Sequence, residues 1–429
     1  MVLIPLLLPL PGCVVSNPEW IPPLGAETTG ASDISGSASS DASAGGSTST
    51  GDATGGATED VISTGVDSSL TTASGTDVLD MPEELDGLED YQRRRTILLH
   101  TYALELNNAE EPKVEDIPVR VLLNEDRADW EALVENELRF VWDDGETILP
   151  HEVELWDDNN EFALIWVTLP YIYAQATETF YLYYDKENPG PGPQEPPNWE
   201  SFATVHHLNG DSVDSANGLD GGPWPPGLNT IGSPGGYGAQ MFGGTSLTLA
   251  PNPEMSSSAG YVSLLFQTES QLEMSLFRAS HWDGDQPLLG PGIVTVLMSP
   301  DGYIDALVGG EQEGFNGAYA APNGDLGWHH LAVSWDHELE PSQQVRIWLD
   351  GKPGQWINIE AQIGGHHLGG LTQVGAALED LFFVGSIDEL RQSASPRTDL
   401  YVQAEAESVL HADNSEWLQY SDADEPLNP

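Results

Sequence analysis

Positive charge is scarce in this chain of 429 residues, which carries 13 Lys and Arg residues against 69 Asp and Glu residues. Its formal net charge is −56 at pH 7. Because so acidic a surface repels phosphate backbones, we expect no nucleic-acid partner. Long apolar runs are missing as well, and no stretch reaches the roughly 18 residues that a membrane-spanning helix needs. A membrane helix is therefore not expected either.

Cysteine is almost absent, since Cys13 is the only one. A single cysteine excludes an intramolecular disulfide and a cysteine zinc cluster. It ends the apolar segment 1–13, which has the pattern of a signal peptide and whose last four residues, Leu-Pro-Gly-Cys, resemble a bacterial lipobox. The resemblance implies a lipidated Cys13 and a protein anchored at the bacterial outer membrane or cell surface. A secreted protein with an incidental cysteine is the alternative.

Residues 14–88 form the next segment, in which Gly, Ser, Thr, Ala and Asp dominate from residue 24 to residue 80 and aromatic residues are missing over that stretch. Such a composition buries too little apolar surface to offset its ordering entropy, so we expect a disordered tether. Its reach as a coil would be on the order of 40 Å. Only ten of the acidic residues lie in residues 1–80. The acidity therefore belongs to the later part of the chain, and it indicates salty or calcium-rich surroundings or a compositional bias of the lineage.

Residues 89–190 contain short runs of β-branched and aromatic residues that are separated by turn residues. This spacing predicts a β-sandwich. A short helix is predicted near residues 129–137. A stiff connection rich in Pro and Gly follows at residues 188–197.

Three motifs in this region resemble an uncharacterised bacterial β domain of surface proteins. They are the order "LRF…DG…LPHEVELW" at residues 138–156, "IWVTLP" at 165–170 and "FYLYY" at 180–184. That domain often precedes a laminin-G-like domain, and the resemblance implies no activity. This sequence departs from the domain's pattern at residues 185–186, where Asp-Lys replaces the usual Gly-Asn.

Glu152 and Glu154 are the candidate catalytic pair of the first region. Two residues apart on a strand, they share a face and are separated by about 6.6 Å, within the range of the carboxylates of inverting glycosidases. The other interpretation is a solvated or hydrogen-bonded strand face. We favour it, because catalytic carboxylates normally come from different strands across a cleft.

Residues 198–425 carry many further strand patterns, which predict a large jelly-roll sandwich with a hairpin turn at Asp350-Gly351. Four motifs resemble the laminin-G-like, concanavalin A-like superfamily, at residues 214–221, 327–335, 345–351 and 383–391. Residues 395–402 resemble the short helix that ends such domains. Relatives bind carbohydrate or protein. The catalytic motif of the relatives that are glycosidases is missing, so the resemblance implies a protein that is not an enzyme.

The resemblance also implies calcium as the cofactor. Its ligands would be Asp388 of the closing motif, with Asp214 and Asp220 of the opening loop. Calcium takes six to eight oxygen ligands, and this acidic region can supply them. The alternative is that Asp388 and Glu389 only make structural hydrogen bonds at the end of a strand.

Three histidine pairs, at residues 206–207, 329–330 and 366–367, invite a metal interpretation. Adjacent residues on a strand face opposite sides, so we expect the first two pairs to be packing residues, whereas the third lies in a glycine-rich loop and stays open. Four aromatic residues in predicted loops are candidates for stacking on sugars or for capping the sandwich: Trp224, Tyr237, Trp282 and Tyr319.

The sequence thus predicts an all-β protein in which two β-sandwiches, the second a concanavalin A-like jelly roll, follow a disordered tether. We expect a monomeric, non-enzymatic cell-surface or secreted protein that binds a glycan or a surface protein. It would meet the membrane only through its lipid anchor. A glycan hydrolase of the same fold and a purely structural envelope component are the alternatives.

Overall fold

In this computed structural model, all described residues belong to one unit, Met81–Pro429. The described residues are 88, 90–106, 112–187, 199–234, 236–250, 252, 254–255, 258–270, 272–280, 294–300, 302–308, 319–320, 327–354, 356, 372–377, 381–421 and 423–427. Cys13, residues 14–87 of the tether, residues 188–197, Trp282, the 366–367 histidine pair and the side chain of Tyr319 lie outside them. None of the helices in the described part has the length and apolar content that a bilayer crossing requires.

The first β region is a sandwich of two antiparallel sheets. Its strands are β1 (Tyr91–His100), β2 (Lys113–Asn124), β3 (Arg139–Trp142), β4 (Ile148–Leu149), β5 (His151–Asp157), β6 (Phe162–Tyr173) and β7 (Thr177–Lys186). One sheet runs in the order β1-β7-β3-β4 and the other in the order β2-β6-β5. Alternate residues such as Val119, Phe140 and Phe180 are fully buried between the sheets. This alternation of inward and outward residues is what holds one face of each strand on the core.

The helix predicted at residues 129–137 is wrong. Two 3-10 helices, Trp130–Ala132 and Glu135–Glu137, occupy the segment, and Val134 between them is extended. The carboxylate of Asp129 does not cap the first of them, because it forms an ion pair with Arg93. Without a capped first turn, the segment remains as two short pieces.

The second β region is a larger sandwich. Its strands are β8 (Thr204–His206), β9 (Asn229–Ser233), β10 (Gly236–Phe242), β11 (Leu247–Leu249), β12 (Ala259–Gln267), β13 (Met274–Ala279), β14 (Val294–Met298), β15 (Tyr303–Val308), β16 (Tyr319–Ala320), β17 (His329–Asp336), β18 (Val345–Leu349), β19 (Lys352–Pro353), β20 (Thr372–Val374), β21 (Ala376–Ala377), β22 (Leu381–Phe382) and β23 (Val384–Ser393). A further 3-10 helix spans Pro341–Gln343. One sheet has the order β19-β18-β17-β12-β23-β10-β9, with β8 also paired to β23, and the facing sheet has the order β11-β20-β13-β14-β15-β16. The prediction of an all-β protein built from β-sandwiches is confirmed.

The chain then forms α1 (Asp399–Leu410) and returns to the first region. The helix begins later than the predicted segment 395–402, because the hydroxyl of Thr398 accepts the backbone N–H of Tyr401 and so caps it there. Two final strands, β24 (Leu418–Tyr420) and β25 (Glu425–Pro426), pair with β1. The C-terminal segment of the chain therefore completes the sheet of the first region.

One apolar cluster runs through both β regions. Leu265 of β12 and Leu400 of α1 belong to the same cluster as Ile97 of β1 and Val119 of β2. The predicted hairpin turn at Asp350-Gly351 is confirmed, since β18 pairs with β19 and both turn residues have positive φ, 51° and 70°. Gly351 lies against α1, where a Cβ atom would approach the Cα of Gln403 to 3.1 Å.

Candidate functional site

Charged side chains are buried where the two β regions meet, and we call this set the buried charge network. Its members combine carboxylates with guanidinium and imidazole groups: Arg120, Glu152, Glu154, His207, His330, Asp388, Glu389, Arg391 and Glu405. The two guanidinium groups lie over the indole ring of Trp166, at 4.7 Å for Arg120 and 4.0 Å for Arg391. Buried charges of both signs stabilise one another only when they are paired in this way.

A β-bulge in β23 directs two consecutive acidic residues into the network. Arg391 lies opposite Ser263 of β12 and Asp388 lies opposite Leu265, so Glu389 and Leu390 together face one residue. Glu389 has a φ of 50°, in the left-handed region that residues other than glycine rarely adopt. The extra residue lets Ile387 and Leu390 stay in the core of the second sandwich while Glu389 contacts His207.

Glu389 and Glu405 are the ionised centres of the network. Glu389 accepts hydrogen bonds from His207 Nδ1 at 2.9 Å and from Arg391 at 2.8 Å. Burial alone would raise its pKa, but the charge of His207 and its hydrogen bond, with the charge of Arg391, lower the pKa to about 2. For Glu405 burial is likewise outweighed by the contact with His330 Nε2 at 3.3 Å and the charge of Arg391, and its pKa is also about 2. Both groups are therefore carboxylates at neutral pH.

Glu152 and Glu154 project from β5 into the second region. Glu154 accepts hydrogen bonds from Trp166 Nε1 at 2.7 Å and from Asn209 Nδ2 at 3.1 Å. Glu152 accepts the Ser215 hydroxyl at 2.7 Å and the indole N–H of Trp199. All four carboxylate oxygens are thus occupied by donors. This arrangement is the hydrogen-bonded strand face that the sequence favoured over a catalytic pair.

The two carboxyl groups nevertheless differ in their proton affinity. Burial and the neighbouring Glu389 raise the pKa of Glu154 to about 7. Burial also acts on Glu152, but His207, whose Nε2 lies 3.7 Å away, lowers its pKa by contact and charge. For His207, burial is outweighed by the charges of Glu389 and Glu154, which raise its pKa well above 6.5. The network therefore pairs an imidazolium with carboxylates and holds a proton on Glu154 below about pH 7.

Within the described residues, one group of acidic and histidine side chains has the spacing of metal ligands: Glu154, His207 and Glu389, whose ligand atoms lie within 4.8 Å of one another. The hydrogen bonds of these carboxylates to Arg391 and Trp166 account for their arrangement without an ion. Asp388 adjoins the group, and its carboxylate accepts a hydrogen bond from the hydroxyl of Ser233. Burial, followed by the charges of Glu389 and Glu154, raises the pKa of Asp388.

The predicted calcium ligands do not form a cluster of that kind in the described part of the chain. Asp214 accepts the backbone N–H groups of Val205 and Ala216 on Oδ1, and those of residues 217 and 219 on Oδ2. Asp220 in turn accepts the N–H of Asp214. The opening loop thus uses these carboxylates to fix its own backbone. Calcium binding with Asp388, Asp214 and Asp220 as ligands stays a prediction.

The four histidines of the two described pairs each contact a different residue. His206 lies opposite Leu390 of the core, whereas His207 contacts Glu389 on the other side of the sheet. His329 Nδ1 lies 2.9 Å from Asp350, and His330 Nε2 lies 3.3 Å from Glu405. The members of each pair therefore have separate partners.

Of the predicted loop aromatics, Trp224 and Tyr237 have described side chains. Trp224 donates its indole N–H to the carbonyl of Leu228 at 3.0 Å and packs on the core, so it caps the sandwich. Tyr237 lies on β10, not in a loop, and is 42% exposed. Trp224 and Tyr237 therefore do not form a cluster of aromatic rings on which a sugar could stack.

The outer side of the second sheet of the larger sandwich carries a row of polar residues, which we call the polar face. Thr248 of β11 lies opposite Gln373 of β20, which lies opposite Arg278 of β13, which lies opposite Thr295 of β14. Their neighbours along each strand face the core. Asp305 and the 44% exposed Tyr303 share the same side of β15. Neighbouring strands are spaced by about 4.8 Å, so the row is about 14 Å long.

The sequence did not single out the polar face, nor Arg120, Arg391 and Glu405 of the buried charge network. A signal was present in both cases, namely a charged residue inside an apolar strand. Arg120 stands between Val119 and Val121, and Arg278 is the only Lys or Arg between residues 187 and 345. Such a residue must find a partner in the fold, because burying an unpaired charge is costly.

Comparisons with known proteins locate a family only within the first region. A domain of unknown function, DUF2341, matches residues 135–193. No curated protein matches the chain.

Solved structures with partial similarity include domain 4 of AbnA, an extracellular arabinanase of Geobacillus stearothermophilus, in complex with arabinotriose. It is 18% identical, with a TM-score of 0.38 over 48% of this chain and 98% of that chain. The CBM40 domain of a Ruminococcus gnavus IT-sialidase bound to α2,3 sialyllactose is 17% identical, with a TM-score of 0.30 over 39% of this chain and 95% of that chain. Trypanosoma rangeli sialidase is 10% identical, with a TM-score of 0.35 over 62% of this chain and 42% of that chain.

Proposed function

We propose that this protein binds carbohydrate without chemical turnover, through the polar face of its second β region. The observation that supports the proposal is the row of hydrogen-bonding side chains across four strands, from Thr248 to Thr295, in which Thr248 is exposed, Gln373 is partly exposed, and Arg278 and Thr295 are buried. Outward positions of this kind are set by a rigid sheet, so their geometry is fixed before a ligand arrives.

The chemistry of the polar face suits sugars. The hydroxyl of the exposed Thr248 and the carboxamide of the partly exposed Gln373 can donate to hydroxyl groups of a sugar, and the carboxyl group of Asp305 can accept from them. Tyr303 supplies a half-exposed aromatic ring on the same side of the sheet, where an apolar sugar face can stack. The row is about 14 Å long, which fits a short oligosaccharide better than an extended protein surface.

The proposal is tested by glycan-array screening of the full-length protein, followed by calorimetry with the best glycan. Tyr303→Ala and Gln373→Ala each remove one contact of the polar face, and we expect each to weaken binding about tenfold, or about 1.4 kcal/mol. Tyr237→Ala is the matched control, since Tyr237 is exposed to a similar degree but lies in the other sheet. Equal losses of glycan affinity in all three variants would argue against the polar face as the binding site.

A glycan hydrolase is the second candidate. It is favoured by the separation of the pKa values of Glu152 and Glu154, which in some glycosidases distinguishes the base from the acid. A reducing-sugar assay on the bound glycan distinguishes the two functions. Release that Glu154→Gln abolishes would establish hydrolysis, whereas binding without release supports the first proposal. A protein that neither binds nor releases any glycan would be left with a structural role in the envelope.

Surface display through a lipid on Cys13 is part of the same proposal and rests on the lipobox-like pattern of residues 10–13. Mass spectrometry of the mature N-terminus from a bacterial host tests it. A diacylglyceryl group on the cysteine is expected, and an unmodified Cys13 would contradict the anchor.

A further inference from the structure

Three polar side chains of the second sandwich point into its apolar core. His206 of β8 lies opposite Leu390 of β23, and Thr204 lies opposite Gln392. Leu390 belongs to the core cluster, as does Val262, which lies opposite Gln392 on the other neighbouring strand. Residues two apart on a strand share a face, and so do directly opposed residues. Thr204, His206 and Gln392 therefore share the core side of the sheet.

Each of these three side chains has a buried polar atom without a hydrogen-bond partner. The atoms are Thr204 Oγ1, His206 Nε2 and Gln392 Oε1, in residues that are 1%, 0% and 2% exposed. A buried polar atom without a partner loses its hydrogen bonds to water and gains none in return, so native proteins rarely retain one. Three such atoms on one face of two adjacent strands call for a chemical explanation.

The distances between the strands allow the groups to react. The Cβ atoms of directly opposed residues on antiparallel strands are about 4.5–5.5 Å apart. The carboxamide carbon of Gln392 lies two bonds beyond its Cβ, and the hydroxyl of Thr204 lies one bond beyond its own. Rotation of the two side chains can therefore bring the hydroxyl oxygen towards the carboxamide carbon.

His206 has the tautomer of a general base. Its Nδ1 lies 3.0 Å from the carbonyl oxygen of Val213, and a carbonyl can only accept, so Nδ1 carries the proton. Burial lowers the pKa of His206, against the charge of Asp214, and so favours the neutral ring. Nε2 then has a lone pair that is free to accept a proton from a residue on its own face of the strand.

The geometry points to an intramolecular ester bond between the side chains of Thr204 and Gln392, formed with His206 as the base. The Thr204 oxygen attacks the carboxamide carbon of Gln392 while its proton passes to His206 Nε2. The tetrahedral intermediate then expels the amide nitrogen, which takes the proton from His206 and departs as ammonia. One C–O bond replaces one C–N bond, and no oxidant or cofactor is required.

The bond would link β8, which is the first described strand of the second sandwich, to β23, its last. The covalent loop from residue 204 to residue 392 would enclose all the other strands of that sandwich. Such a closure would keep the sandwich joined under pulling or protease attack, because separating β8 from β23 would no longer release the chain ends.

Peptide mass spectrometry of the folded full-length protein tests the proposal. Cleavage after Asp and Glu releases residues 201–211 and 390–399. We expect one joined species whose mass is about 17 Da below the sum of the two peptides, the mass of ammonia. Mild alkali should then separate it and return residues 390–399 with Glu in place of Gln392. Recovery of both peptides unjoined and unmodified would overturn the proposal.

The variants Thr204→Val and Gln392→Met should abolish the joined species, and His206→Asn should slow its formation at least tenfold. Circular dichroism and thermal denaturation would show that each variant still folds. The chain offers a matched control, because Thr248 and Gln373 are a second opposed Thr–Gln pair in which Thr248 is exposed. Thr248→Val and Gln373→Met should leave the joined species unchanged. Equal amounts of the species in the Thr204 and Thr248 variants would contradict the assignment, and an unchanged rate in His206→Asn would exclude His206 as the base.

Discussion

The side chains of Glu154 and His207 show how single residues set the charge balance between the two β regions. Both are deeply buried, and each depends on the other and on Glu389 for its protonation state. Two guanidinium groups and one imidazolium face the carboxylates of Glu152, Glu389 and Glu405, so a protonated Glu154 adds no uncompensated charge. Its deprotonation would place a further negative charge beside Glu389 in surroundings that solvate it poorly.

Glu154→Gln should therefore reduce the loss in free energy of unfolding that the wild type shows as the pH rises. The folded pKa of about 7 lies above the ordinary value of 4.5, so the folded state binds the proton more tightly. The proton on Glu154 therefore adds to the free energy of unfolding. This stabilisation is full below pH 4.5 and is lost as the pH rises through about 7, for a total of about 3 kcal/mol. Urea unfolding of the wild type between pH 5 and pH 8 should show the loss, and the glutamine variant should show little of it.

The matched control is Glu125→Gln, which makes the same substitution at an exposed site. Its pH profile should follow that of the wild type. A Glu154→Gln profile that is as steep as that of Glu125→Gln would show that Glu154 does not hold its proton in the folded protein.

Part of this chemistry was visible in the sequence and part was not. The placement of Glu152 and Glu154 on one strand face follows from their spacing alone, and so does the division of His206 from His207. Glu389, the partner of His207 on β23, lies 182 residues further along the chain, and the residues that bind Glu152 and Glu154 from the second region, Ser215 and Asn209, lie 63 and 55 residues away. Local patterns hold no information on such contacts, so the network and its pKa values could not be derived from them.

At the scale of secondary-structure elements, the hairpin at Asp350-Gly351 positions β18 and β19 against α1. Gly351 has a φ of 70°, and a Cβ atom at this position would approach the Cβ of Ala406 to 3.2 Å. The tight turn thus serves two purposes, since it reverses the chain and leaves room for the helix.

Gly351→Ala should destabilise the protein more than Gly218→Ala does. Both glycines have a φ near 70°, but a Cβ at Gly218 would meet nothing within 4 Å. The Gly218 variant therefore measures the cost of the left-handed backbone, about 1–2 kcal/mol, and the difference between the two measures the crowding against α1. Thermal denaturation of both variants checks this prediction. Equal losses of stability in the two variants would mean that α1 moves away and relieves the contact.

The strands were the most predictable elements, because runs of apolar and aromatic residues mark β6 and β17 directly in the sequence. The segment at 129–137 was the least predictable one, since its fate depends on whether Asp129 caps a helix or pairs with Arg93. Strands β24 and β25 were also invisible, because Leu418–Tyr420 and Glu425–Pro426 are too short to show a pattern. Tertiary pairing with β1 creates them.

At the scale of the whole molecule, the two β regions share one apolar cluster as well as the buried charge network. Trp199 and Phe202 join the first region's core although they precede the second sandwich, and Tyr401 and Trp417 reach it from the C-terminal segment. Neither region is a closed structure by itself. Separating them would expose apolar surface and strip the buried charges of their partners.

The described unit should consequently unfold in one step. Differential scanning calorimetry of the intact protein should give a single peak whose calorimetric and van't Hoff enthalpies agree. A fragment of residues 89–190 should fail to fold, because it lacks β24, β25 and α1. Two resolved transitions, or a folded fragment, would contradict the shared core.

The pairing of Arg94 with Glu425 brings the first and last strands of the fold side by side. The N-terminal and C-terminal ends of the folded unit thus lie close together at one edge of one sheet, as in domains that tolerate circular permutation. We expect residues 88–427 to act as a cassette that can be spliced into a surface loop of a host protein with only short linkers. Such a graft would display the polar face on a new carrier without either end of the insert having to cross the fold.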